Sequence, residues 1–140
     1  MKKDTSELLK ELENCSDFRA FYSDNSAVLL NTSLSEQLNM LLEKYCIKKA
    51  EAIKRSELSE IYAYQIFSGV RVPERKKLLS LAIGMGISFS EVQTLLRSCS
   101  YAPLYVKNEF DCIIIYGIIK HMSVIEINEL LFEFGFETLG

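Results

Sequence analysis

The chain has a single histidine, His121, two prolines, no tryptophan and no two cysteines at CxxC spacing. One imidazole and four scattered thiols (Cys15, Cys46, Cys99, Cys112) cannot complete a usual zinc set, so neither a metal site nor a cofactor is expected. The thiols are read as reduced and mostly buried, behaving as small hydrophobes. There is no glycine-rich phosphate loop, because Gly84-Met85-Gly86 reads as a helix end. His121 lies at the end of an apolar helix, with no serine or cysteine that spacing can place beside it. Glu109 and Asp111 form no defensible acid–base pair, and the chain is read as not an enzyme. A long apolar run is missing too: Cys112 to Ile119 is far short of the ~20 residues of a membrane span. Met1–Glu13 is too charged for a signal peptide. The expectation is a cytoplasmic protein with no membrane partner. What remains is 49% hydrophobic and 25% charged, the balance of a globular chain able to bury a core without cross-links.

Overall positive charge is also lacking, since the net is −3. The charge is nevertheless sorted. Residues 1–40 carry 4 basic and 7 acidic side chains, residues 41–100 carry 10 and 6, and residues 101–140 carry 2 and 6. A basic middle therefore lies between two acidic flanks, and local charge decides where an anion docks.

Apolar spacings of three and four dominate, and period-two alternation is absent, which predicts an all-α chain. Three serines with Glu three residues on (Ser33/Glu36, Ser88/Glu91, Ser123/Glu126) read as capping boxes at helix starts. A first helix is expected over about Thr5–Cys15, with Leu8, Leu9 and Leu12 on one stripe. Asp17–Thr32 mixes aromatics with Asp, Asn and Ser and is read as including a loop. Residues 1–32 form an N-terminal extension of unassigned role. After Ser33, the positions of Leu34, Leu38, Leu41, Leu42 and Tyr45 describe an amphipathic helix. A short polar helix, Lys48–Arg55, is followed by the turn Ser56-Glu57-Leu58. Ser59 then caps a helix to Ser68, which Gly69 stops. Pro73 is read as the first residue of the next helix, with Leu78, Leu79, Ala82 and Met85 inward and Gly86 as its stop. The helix after Ser88 contributes Val92, Leu95 and Leu96.

From Ile47 to Ser88 the chain resembles, without a gap, the Cro-type or XRE family of helix-turn-helix DNA-binding domains. The positions that carry the resemblance are Ile47, Leu58, Ser59, Ala63, Ile66, Gly69, Arg71, Pro73, Leu78, Leu79, Ala82, Met85, Gly86, Ile87 and Ser88. The resemblance implies a lambda-repressor-like five-helix domain over about residues 33–100. Its third helix, 59–68, would read the major groove, which is wide enough to admit one α-helix. Base-reading positions then fall on Glu60, Ile61, Tyr62 and Gln65, with Tyr64 adjacent. Glutamine suits adenine, isoleucine a thymine methyl, and glutamate a cytosine amino group at a Coulombic cost near phosphate. Phosphate contacts fall on Lys48, Lys49, Arg71, Arg75, Lys76 and Lys77, at the start of the second helix and the loop into the fourth. Here the sequence departs from the family pattern, with two lysines in place of a Thr or Ser cap and a glutamine.

Residues 101–140 lie beyond the resemblance. Ala102-Pro103 breaks the chain, and Asn108 starts an apolar helix through Ile113–Ile119. A last helix holds Ile127, Leu130, Leu131 and Phe134, stopped by Gly135. The run CIIIYGII also fits a buried strand, but helix is preferred, since no partner strand is in sight. This helical hairpin carries more apolar surface than two helices can hide, so it either packs on the preceding helices as extra core or supplies a homodimer interface. The functional expectation is a repressor-like transcriptional regulator binding duplex DNA. The alternative is a protein-interaction module, adaptor or antitoxin-like, on the same fold without DNA binding.

Overall fold

The computed structural model describes residues 5–25 and 33–140, and among them the chain is all-helical, with nine helices and no strand. Met1–Thr32 and Ser33–Gly140 are two compact units. In the first, α1 (Thr5–Asn14) is followed by α2 (Phe18–Asn25). Part of the stretch expected to include a loop is therefore helix. Asp17 supplies its start, since the carboxylate accepts from the Arg19 amide (3.1 Å) and the carbonyl from the Phe21 amide (3.2 Å). The remainder of that stretch, 26–32, lies outside the described residues.

The second unit holds α3 (Leu34–Lys44), α4 (Lys49–Ser56), α5 (Glu60–Ser68), α6 (Arg75–Met85), α7 (Phe89–Ser98), α8 (Glu109–Ile119) and α9 (Val124–Glu133). Serine hydroxyls cap α3, α5, α7 and α9, each accepting from the amide three residues on. The reciprocal bond that completes a capping box is made at Ser123/Glu126. At Ser88 a tertiary contact takes its place: the Ser88 amide donates to the Tyr45 hydroxyl (3.0 Å), while Glu91 accepts from Tyr45 (3.2 Å) and Lys44. That hydrogen bond and charge hold the Lys44 ammonium above its ordinary pKa.

Helix α6 is the centre of the unit. The expected inner stripe is buried, but so are Ser80, Leu81 and Gly84 on its other sides. Helix α4 crosses it on one side and α9 packs on another, so a one-sided stripe understates its burial. The crossing with α4 is set by Gly84. A Cβ there would stand 2.7 Å from the Ala52 carbonyl oxygen and 2.8 Å from the Ser56 nitrogen, inside any tolerated contact. Pro73 is not the first residue of α6. The helix begins at Arg75 after Glu74 as N-cap, and Pro73 is buried before it, its carbonyl accepting from the Tyr101 hydroxyl (2.5 Å). Burial pushes the Tyr101 phenol above its usual pKa, with Cys99 and Tyr62 adding to this.

The apolar run after Asn108 is helix α8, capped by the Asn108 side chain on the Asp111 amide (2.9 Å). It packs against α7 and α9, and its inward residues Ile114, Ile115 and Ile118 join Val92, Leu95, Ile127 and Leu131 in one core. Gly117 lets α9 approach: a Cβ would meet Ile127 Cγ1 and Cδ1 at 2.5 Å. Because a side chain rather than backbone is in the way, Gly117→Ala is expected to cost about 1–2 kcal/mol in urea denaturation. Ile127→Ala, which costs about 2–5 kcal/mol alone, should cost about 1–2 kcal/mol less in that background, because it removes both clashing atoms. Additive losses would mean that the two residues do not share the space.

None of the cysteines is buried, contrary to expectation: Cys46 and Cys112 are exposed and Cys15 and Cys99 half-buried, all as free thiols. Cys46 follows the end of α3 with a left-handed φ of 52°, and Cys112 lies on the outward side of α8. Burial pushes the Cys99 thiol up.

Candidate nucleic-acid interface

The segment joining α4 to α5 is shaped by three residues. Ser56 is fully buried, its hydroxyl donating to the Ile53 carbonyl (2.6 Å) and accepting from the Leu58 amide (3.3 Å). Glu57 takes a left-handed φ of 61°, and Ser59 restarts the helix by accepting from Tyr62 N (3.3 Å). Helix α5 then buries Ala63, Ile66 and Phe67, while Glu60, Ile61, Tyr64 and Ser68 are exposed and Tyr62 and Gln65 half-buried. Its last turn is held by α3. The Phe67 carbonyl, one of the acceptors a helix end leaves unmatched, receives both Ser35 Oγ (2.5 Å) and Asn39 Nδ2 (3.1 Å). Gly69, with φ 86°, ends the helix where a side chain would stand 3.4 Å from Ser35 Cβ.

A shallow groove of about 530 Å³ runs along this surface, lined by Lys49, Glu60, Ile61, Tyr64, Gln65 and Ser68. It brings the start of α4 beside the outward residues of α5. Lys48 is the exposed N-cap of α4 and makes no side-chain cap bond, as two lysines in place of a hydroxyl residue imply. Lys49 Nζ lies 5.3 Å from the Phe67 ring centroid.

The cations of the loop and α6 differ in their surroundings. Arg71 is exposed, donates from Nε to Gln65 Oε1 (2.8 Å), and lies 5.3 Å over the Tyr62 ring. Arg75 grips Asp111 with two parallel bonds of 2.9 Å and also donates to the Ala102 (2.9 Å) and Pro103 (3.2 Å) carbonyls. The Asp111 side chain is only 8% exposed and also accepts from the Tyr105 amide. Arg75 thus ties α6 to the loop before α8 rather than standing open to solvent. Lys76 pairs with Glu137 (3.1 Å) and sits 5.4 Å from the Phe110 ring, and Lys77 shares a cleft with Glu137 and Leu139.

Sequence reasoning missed Ser35 and Asn39, although two polar residues at i, i+4 between the apolar positions of an amphipathic helix are a usable signal. It also missed Tyr101 and Asp111, whose partners lie 28 and 36 residues away and leave no local trace. His121 is exposed, with a left-handed φ of 56° just after α8. No protein-family model matches the chain, and no curated protein and no solved structure matches it either.

Proposed function

We propose that residues 33–140 form a duplex-DNA-binding unit built on a lambda-repressor-like helix-turn-helix, with α4 and α5 as its two helices and α5 as the reader. One observation carries the reading: α5 keeps its outward polar residues clear of the core, between the lysines opening α4 and Arg71 in the loop after it. Phosphate contacts then fall on Lys48, Lys49 and Lys77, with Lys76 shared with Glu137. The exposed Phe132 and Phe134, at 78% and 64%, suit a second copy of the chain on a two-fold operator.

Anisotropy of a labelled mixed-sequence duplex tests this. Binding is expected to weaken about 10²–10³-fold between roughly 50 and 200 mM salt, as release of about five counterions requires. Lys48/Lys49/Lys77→Ala should lower the salt slope by about 3. A folded protein that does not bind at the lower salt would rule the reading out.

A protein-interaction module, adaptor or antitoxin-like, is favoured by a separate observation. Ile61, Val70 and Val72 are 74%, 76% and 82% exposed around the same surface, and such apolar side chains suit a protein groove.

A further inference from the structure

Resting on the DNA reading, we propose that Arg71 is a base-reading residue, specific for guanine, and that Gln65 is its positioning residue. Four observations place it. The Arg71 amide donates to the Gln65 carbonyl (3.2 Å), as does that of Val70 (3.0 Å), which folds the loop back onto the last turns of α5. The Arg71 side chain then returns to the same residue, Nε to Oε1 at 2.8 Å. Its guanidinium carbon lies 5.3 Å from the centroid of the half-buried Tyr62 ring, a cation–π contact that steadies the arm. Finally, Gln65 is neutral and leaves the full charge in place, whereas Arg75 is neutralised by Asp111 and Lys76 is paired with Glu137.

An arginine arranged in this way is held along the Tyr62–Gln65 side of the reading helix, next to its exposed residues, rather than swinging free in the loop. With Nε engaged by Gln65, the terminal edge with Nη1 and Nη2 is the one presented. Two parallel donors match two adjacent acceptors, and guanine O6 and N7 are the pair that the major groove offers. Pre-ordering by Gln65 and Tyr62 lowers the entropy lost when the arm docks. The expected ligand is a duplex with an obligatory G·C pair beside Tyr62 and Gln65 of α5.

The test is selection of binding sites by the full chain from a randomised duplex library, followed by titration of the selected site and its three single-pair variants. The wild type should fix one G·C pair. Arg71→Lys, which keeps the charge but not the fork, should bind all four pairs within about threefold of one another. Its affinity for the selected site should fall about 10–100-fold with an unchanged salt slope. Gln65→Ala should weaken discrimination at that same pair. Arg71→Lys that binds every site like the wild type, with Arg71→Ala weakening all four pairs equally and lowering the slope by about 1, makes Arg71 a phosphate contact and overturns the proposal. So does a wild type that binds but selects no G·C pair. Absence of all binding by the wild type overturns the DNA reading itself, a result distinct from either of these.

Discussion

Gly84→Ala should lower the melting temperature of the 33–140 unit by roughly 10 °C. In an ordinary helix this substitution stabilises, by about 1 kcal/mol, because alanine loses less backbone entropy. Here the new methyl would meet main-chain atoms of Ala52 and Ser56 at 2.7–2.8 Å. Backbone cannot swing aside as a side chain can, so α4 must lift from α6 at a cost of about 3 kcal/mol. The net of about 2 kcal/mol, in a unit of this size, gives the stated shift. Calorimetry decides the sign: a rise of a few degrees would mean that the helices do not approach so closely. Because Ser56 also builds the turn into α5, the proposed function requires that the variant that still folds bind the duplex more weakly.

Arg75→Ala should destabilise the protein by about 2–3 kcal/mol in chemical denaturation. The Asp111 carboxylate it leaves behind is nearly out of water, and an orphaned buried charge is what makes such losses large. The guanidinium is itself 26% exposed, which holds the figure at or below the lower limit of the roughly 3–5 kcal/mol lost from fully buried pairs. Arg75→Met with Asp111→Leu removes both charges and should regain most of the loss. The same single variant speaks to function. If Arg75 contacted phosphate, its removal would lower the salt slope of DNA binding by about 1 and leave stability alone. The bidentate pair requires the reverse, a fall in stability with the slope kept.

The helices were legible because their signals are local. Serine caps, left-handed glycines and apolar spacing act within a turn or two, and α3, α5, α6, α7 and α9 begin or end at such a serine or glycine. Pro73 misled because its fixed φ suits a helix start, yet Tyr101 holds its carbonyl and the helix opens two residues later. Asp17 began a helix that the polar composition of its neighbours concealed. The cysteines misled for another reason: burial is decided by which side of an element faces the core, and Cys112 falls on the outer side of α8. In the candidate interface, the residue types were legible but not their engagements. Arg71 and Arg75 are four residues apart and alike in sequence. One is neutralised by a carboxylate 36 positions away, and the other is held by a neutral amide six positions back.

The burial of α6 on several sides bears on how this protein can be cut and recombined. Transplanting residues 33–100 alone would strip α8, α9 and the segment around Leu139 from the structure. Leu139 is itself 1% exposed, its amide held by the Asn128 side chain. Such a fragment would leave Arg75 without its carboxylate and α6 without part of its cover, and it should aggregate or melt. The portable cassette is 33–140, and a chimaera that respects that boundary keeps α5 and its support together.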